Sequence, residues 1–225
     1  MIKVSDMSKK YGKKTILKSI DLKIKEGERI AIMGLNGSGK TTLGELILKV
    51  IKPSSGTIKY KNEKIKRNAT FQDGSFDSEL NLYQLIKFYS YAFGVKKDLY
   101  HLLKDFELDK VAKYKFSKLS GGQKQKFKFL ITLINEPSLL LLDELTTSLD
   151  YIWRNKIVEL VQKYINEKKC TLILVSHDIE EVSSLCDRVL FLKDGVIEKD
   201  IDILNNKNKL IDLIKEEIIN NDSNI

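Results

Sequence analysis

The 225-residue sequence predicts an α/β fold: a mostly parallel sheet, an N-terminal antiparallel β subdomain and an inserted helical subdomain. Three observations predict it. From Leu139 onward, apolar runs of strand length alternate with helical stretches, as in βαβ units. Earlier, the apolar run Arg29 to Met33 ends in glycine and leads into a helix-forming stretch. Between Glu79 and about Gln125, aromatic and aliphatic residues recur at helical spacing with no strand-like run.

The first 60 residues read as short strands: Ile16 to Lys25 alternates apolar and polar residues, and Arg29 to Met33 is a buried run. A helix is expected from Lys40 to about Val50, and a strand from Thr57 to Tyr60 after the turn residues Pro53 to Gly56. The helical insertion rests on Leu82, Leu85, Ile86 and Tyr89, then Leu99, Leu102, Leu103 and Phe106. Alternation resumes with strand Leu139 to Leu142, helix Tyr151 to Glu167, strand Thr171 to Val175, helix Ile179 to Leu185 and strand Arg188 to Leu192. In the tail, Leu210, Ile211, Ile214 and Ile218 share one helical face, which predicts a docked helix with a frayed end. The whole reads as one domain: 1–78 and 136–204 form the core with its β subdomain, 79–135 the helical insertion and 205–225 the C-terminal helix.

Apolar residues make up 42% of the chain, enough for a packed core and too many for wholesale disorder. The net charge of +8 favours acidic partners: nucleic acid, an anionic membrane face or a polyphosphate. The longest stretch without a charged residue, Ile30 to Gly39, is ten residues, half of the roughly 20 that cross a bilayer. The start, Met1 to Asp6, has no apolar secretory core, so a cytosolic protein is expected. Cys170 and Cys186, the two cysteines, are expected to be reduced packing residues.

Gly34-Leu35-Asn36-Gly37-Ser38-Gly39-Lys40-Thr41 matches G-x-x-x-x-G-K-[S/T] between an expected strand and an expected helix, which is its confirming context. Its glycines let backbone N–H groups and the helix N-terminus point at a phosphate. Lys40 then reaches the β and γ phosphates, and the Thr41 hydroxyl is placed to ligate Mg²⁺. An N-K-x-D guanine-reading segment is missing, which makes ATP the favoured nucleotide.

Four leucines lead into Asp143-Glu144. A buried strand ending in two carboxylates sets one, Asp143, beside the metal and the next, Glu144, where it can deprotonate a water in line with the γ-phosphate. Ser120-Gly121-Gly122-Gln123 opens a further helix, carrying Phe127, Leu130, Ile131 and Ile134, with Ser120 as its N-cap. This is a second anion-binding device on one chain. If both cradles serve one triphosphate, the second comes from another copy.

In this order and at these intervals, the phosphate loop, the Leu119 to Gln123 segment, the Leu139 to Glu144 strand and Ser176-His177-Asp178 resemble the ATP-binding cassette of ABC transporters. The resemblance covers about Met1 to Lys199. It implies a P-loop NTPase (RecA-like) core and a head-to-tail dimer, of this cassette with itself or with a different one, holding two ATP molecules, each between one subunit's phosphate loop and the other's signature. By position it implies ATP contacts from Tyr11, stacked on adenine, and from Gly34, Leu35, Asn36, Gly37, Ser38, Gly39, Lys40, Thr41 and Thr42. Mg²⁺ would be held by Thr41, Gln72 and Asp143; Glu144 and His177 would be catalytic; Ser120, Gly121, Gly122 and Gln123 would contact the partner's ATP; Asp150 would touch the partner subunit. Leu145 and Ser148 depart from the family's usual Pro and Gly, and Lys126 stands where arginine is common.

A single cassette acts on something else. Only 80 positions separate Lys40 from Ser120, with no room for the long coiled coils of chromosome and repair ATPases. Lysines are scattered along the chain with no aromatic-interleaved basic patch, so no nucleic-acid partner is expected. The favoured reading is the energising subunit of a membrane transporter, peripheral on the inner face of the membrane and docked on a separate permease; the alternative is a soluble cassette ATPase acting on nucleic acid or ribosomes. Glu79 to Leu82 and Phe88 to Gly94 resemble the exporter branch that handles drugs, antibiotics and peptides.

Overall fold

Two sheets organise the chain. A computed structural model describes residues 1–70, 76–96, 98–144, 146 and 149–204. The smaller sheet holds β1 (Ile2–Tyr11), β2 (Lys14–Ile24) and β4 (Ser55–Tyr60) in the order β2-β1-β4, all antiparallel. The larger holds β3 (Arg29–Met33), β5 (Arg67–Thr70), β6 (Leu139–Asp143), β7 (Thr171–Val175), β8 (Arg188–Lys193) and β9 (Val196–Asp202) in the order β5-β6-β7-β3-β8-β9. Its pairs are parallel except β8 with β9.

The central strands of the larger sheet are buried on both faces, and alternation within them shows how. In β6, Leu140 and Leu142 pack with the helices of one layer, while Leu139 and Leu141 pack toward the smaller sheet. In β7, Leu172 and Leu174 face the first layer and Ile173 and Val175 the second; β3 divides Ala31 and Met33 from Ile30 and Ile32 in the same way. A period of two with both sets apolar reads as a continuous apolar run, the mark of a covered parallel strand. That layering sets the C-terminal ends of β3, β6 and β7 side by side.

Six α-helices are described: α1 (Lys40–Ile47), α2 (Leu82–Ala92), α3 (His101–Asp105), α4 (Gly121–Leu133), α5 (Tyr151–Lys168) and α6 (Ile179–Leu185). Helix α1 stops before the expected Val50, and just beyond its C-cap Leu48 the residue Lys49 takes a left-handed φ of 58°. Asn81 caps α2 through a reciprocal box with Gln84. The expected tail helix over 205–225 lies outside the described residues.

Strands β1 and β2, at 10 and 11 residues, are longer than the short strands expected. Their ladder carries register shifts, with Asp6 and Ser19 at left-handed φ and the Ser19 hydroxyl donating to Asp6 Oδ1 at 2.6 Å. Such bulges interrupt the period of two that would reveal a long strand from sequence. Strand β5 carries one apolar residue, Ala69, among Arg67, Asn68 and Thr70, and in the edge strand β9 the charged Glu198, Lys199 and Asp200 separate Val196 and Ile197 from Ile201; neither shows a continuous apolar run.

Candidate active site

The phosphate loop runs from the end of β3 to α1, and its backbone is committed to one shape. Gly34 takes φ 142°, and a Cβ placed there would lie 2.1 Å from the Leu192 carbonyl oxygen of β8, so glycine is required by close approach as well as by conformation. Gly39 is the N-cap of α1 and contributes no side-chain cap, so the first N–H groups of the helix remain to be met by an anion. Lys40 is buried at 7% exposure, and its Nζ donates to the carbonyls of Gly34 at 2.9 Å and Leu35 at 3.0 Å. Burial pushes its ammonium below the ordinary lysine range, while Glu144 and Asp143 oppose that shift. The Ser38 hydroxyl is buried with no hydrogen-bond partner among the described residues, a polar atom waiting inside the cradle.

At the neighbouring strand end, Asp143 closes β6 with 3% exposure. The Thr41 hydroxyl donates to Asp143 Oδ2 at 2.7 Å, bringing together two residues 102 positions apart. Glycine in the middle of α1 allows that approach: a Cβ at Gly44 would lie 2.9 Å from both methyls of Leu141 on β6. Two converging hard oxygens suit Mg²⁺, which takes few protein ligands and keeps phosphate and water oxygens for the rest. No group of three or more His, Cys, Asp or Glu suited to a metal exists among the described residues.

Glu144 follows at the strand tip with φ 49°, a left-handed backbone held by its N–H donating to the Val175 carbonyl at 2.9 Å. His177, just beyond β7, brings Nε2 to 3.9 Å from Glu144 Oε1. Burial and Lys40 push His177 below the ordinary imidazole range, partly offset by Glu144 and Asp143, so the ring favours its neutral form. Lys40, Thr41, Thr42, Asp143 and Glu144, with Lys14 and Ile16 of β2, line a cavity of about 320 Å³.

The signature residues stand apart from this cavity. Ser120 caps α4, its hydroxyl accepting from Gln123 N at 3.3 Å while Gln123 Oε1 accepts from Ser120 N at 3.0 Å. Gly121 has nothing within 4 Å of where a Cβ would sit, so the helix N-terminus is open to an incoming group. Tyr11 is 51% exposed at the end of β1, with Lys9 Nζ 4.9 Å above its ring; it lines neither this cavity nor the adjoining one of about 510 Å³ beside Leu35 to Ser38. Asp150 caps α5 by accepting from Trp153 N at 2.9 Å. Gln72, Leu145 and Ser148 lie outside the described residues.

Several residues that shape the site carry no local sequence signal. Lys14 and Ile16 reach it only because β2 folds across the phosphate loop, and Gly44 matters only once α1 lies on β6. Cys170 and Cys186 are buried free thiols, their pKa values pushed up by burial, as their reading as packing residues requires. Among the described residues, no helix is long and apolar enough to cross a membrane.

A profile described as ABC transporter matches residues 17–147. The lantibiotic transport ATP-binding protein SrtF of Streptococcus pyogenes is 31% identical over 219 residues, covering 93% of this chain and 95% of the relative. The zinc import ATP-binding protein ZnuC of Wigglesworthia glossinidia brevipalpis is 35% identical over 188 residues, covering 83% and 80%. Among solved structures, the ATP-binding cassette MJ0796, a dimer in a post-hydrolysis state bound to ADP and Pi, superposes with a TM-score of 0.81 at 29% identity, covering 92% of this chain and all of that one.

Proposed function

Since this chain belongs to the ABC transporter ATP-binding family and is an ATPase that powers transport, we propose that Lys40, Thr41, Asp143, Glu144 and His177 divide the work of hydrolysis at the ends of β3, β6 and β7. The observation that carries this is the convergence of Thr41 on Asp143 at 2.7 Å with Glu144 at the tip of the same strand, 3.9 Å from His177. The N–H groups of Gly34 to Thr42 and Lys40 bind and orient the phosphates. Thr41, Asp143 and Gln72 would hold Mg²⁺, which supplies charge neutralisation at the β and γ oxygens when bound. Glu144 accepts the proton of the attacking water, and a neutral His177 donates a hydrogen bond toward the γ-phosphate. Tyr11 stacks on the adenine.

In the same reading, Ser120, Gly121, Gly122 and Gln123 close over the ATP held by a second cassette, Asp150 touches that cassette, and residues 79–135 act as a helical insertion docking on a separate permease. The chain is then a cytoplasmic subunit peripheral to the membrane. Export of a drug, antibiotic or peptide is favoured by the end-to-end match to SrtF and by the Phe88 to Gly94 segment, where Phe88 and Tyr91 are 58% and 88% exposed. Affinity capture of the Glu144→Gln variant from detergent-solubilised membranes with Mg²⁺ and ATP tests the reading. A polytopic membrane protein is the expected companion, and transport assayed in vesicles carrying both decides direction. Ribosomes or DNA in its place would overturn the transporter reading.

A further inference from the structure

His177 sits between two residues anchored in a buried polar network that the hydrolytic residues do not use. The Ser176 hydroxyl donates to Glu181 Oε2 at 2.5 Å and accepts from Asp178 N at 3.0 Å, closing a tight loop around His177. Asp178 caps α6, its Oδ1 accepting from Glu180 N at 2.9 Å and Glu181 N at 3.1 Å, and its Oδ2 takes Arg154 Nη1 of α5 at 2.7 Å. Ser176 and Glu181 are each 3% exposed, so the anchor is inside the protein while His177 itself is exposed.

We propose that Glu181 is a positioning residue for hydrolysis: its buried carboxyl holds the Ser176 hydroxyl and so sets the backbone from which His177 reaches Glu144. The proposal rests on the roles given above to His177 and Glu144. Stability alone gives a poor account of this carboxyl. Its Oε1 is buried with no hydrogen-bond partner among the described residues, and an apolar side chain of similar size would fill the space under α6 without that cost. Burial raises Glu181 to about 7, with Asp178 adding to the rise and Ser176 and Arg154 opposing it; buried Cys186 lies close enough to feel its charge. A carboxyl poised in that way can accept from Ser176 or donate to it, keeping the link in either state.

Glu181→Leu and Glu181→Gln, each made in the otherwise unaltered chain and in a His177→Ala chain, test this through kcat and KM for MgATP. Glu181→Leu should lower kcat about tenfold with KM within about twofold, the mark of a group acting on the reacting geometry rather than on binding. Glu181→Gln keeps an acceptor for Ser176 and should restore kcat to within about threefold of the unaltered chain. In the His177→Ala chain, Glu181→Leu should cost less than a further factor of about two, because a residue acting through His177 has nothing left to position. An unchanged kcat for Glu181→Leu, or the same loss with and without His177, overturns the proposal alone. Full turnover by His177→Ala overturns the assignment of His177 and the proposal with it. Should Glu181→Leu fail to fold, Ser176→Ala cuts the same link from the other side, and an unchanged kcat there is equally fatal.

Discussion

The chain carries two anion cradles at helix N-termini, and they are finished differently. At the phosphate loop, Lys40 and Asp143 are 7% and 3% exposed, Lys40 is bonded to loop carbonyls, and Thr41 is bonded to Asp143. At the signature, Ser120 and Gly121 are exposed, the capping box is closed on itself, and nothing faces the missing Cβ of Gly121. The difference teaches that one chain gathers Lys40, Thr41 and Asp143 into a buried cluster but leaves its second helix N-terminus exposed, and in the proposed reading that outward cradle meets another molecule's nucleotide.

The sharpest way to separate the two halves is Glu144→Gln. Turnover should fall by at least about a thousandfold while nucleotide affinity, measured by calorimetry, stays within about threefold, since only the proton acceptor is removed. Undiminished hydrolysis would take Glu144 out of that role.

A pH comparison probes the buried half next. The Glu181 carboxyl is raised from 4.5 to about 7 in the folded chain, so the fold holds a proton that the unfolded chain has released. Its stabilising contribution is complete below about 4.5 and is lost as pH rises through about 7. Relative to Glu181→Gln, the unaltered chain should lose on the order of 3 kcal/mol across that window, read by denaturant unfolding at each end. Ser120→Gln would leave the same comparison flat, because no carboxyl among the described residues of the signature half is buried.

On the exposed half, Ser120→Arg should lower turnover about tenfold or more by obstructing closure, with ATP affinity of the isolated chain within about twofold. Loss of monomer affinity would mean that the signature acts in its own chain. The smallest effect is expected where the two halves meet. Lys126 of α4 lies 3.3 Å from the ring centre of Trp153 on α5, and Lys156 lies 4.4 Å from the same ring. Lys126→Gln should cost less than about 1 kcal/mol and shift the emission of Trp153, the one tryptophan of the chain, to longer wavelength as the ring loses its cover.

Legibility followed the range of the interactions. Lys40, Thr41, Asp143, Glu144 and the Ser120 cap were readable because each is set by its own strand, turn and helix within a few residues. The alternating core of β6 and β7 was readable for the same reason. Strand β5 was not, because its place in the sheet comes from pairing with Leu139 to Leu142 and not from any apolar pattern of its own. Lys14, Ile16 and Gly44 were missed because each meets the site only through folded neighbours: β2 over the loop and α1 on β6. Asp150 shows a related limit, since its cap on α5 is a local role that position within a motif did not reveal.

That the outward cradle belongs to a second molecule's nucleotide is tested most directly by mass. Light scattering of Glu144→Gln with Mg²⁺ and ATP should give twice the 25.9 kDa of the chain, and adding Ser120→Arg should return it to 25.9 kDa with ATP still bound. A Glu144→Gln chain that stays at 25.9 kDa when saturated with ATP, or a dimer indifferent to Ser120→Arg, would contradict the account.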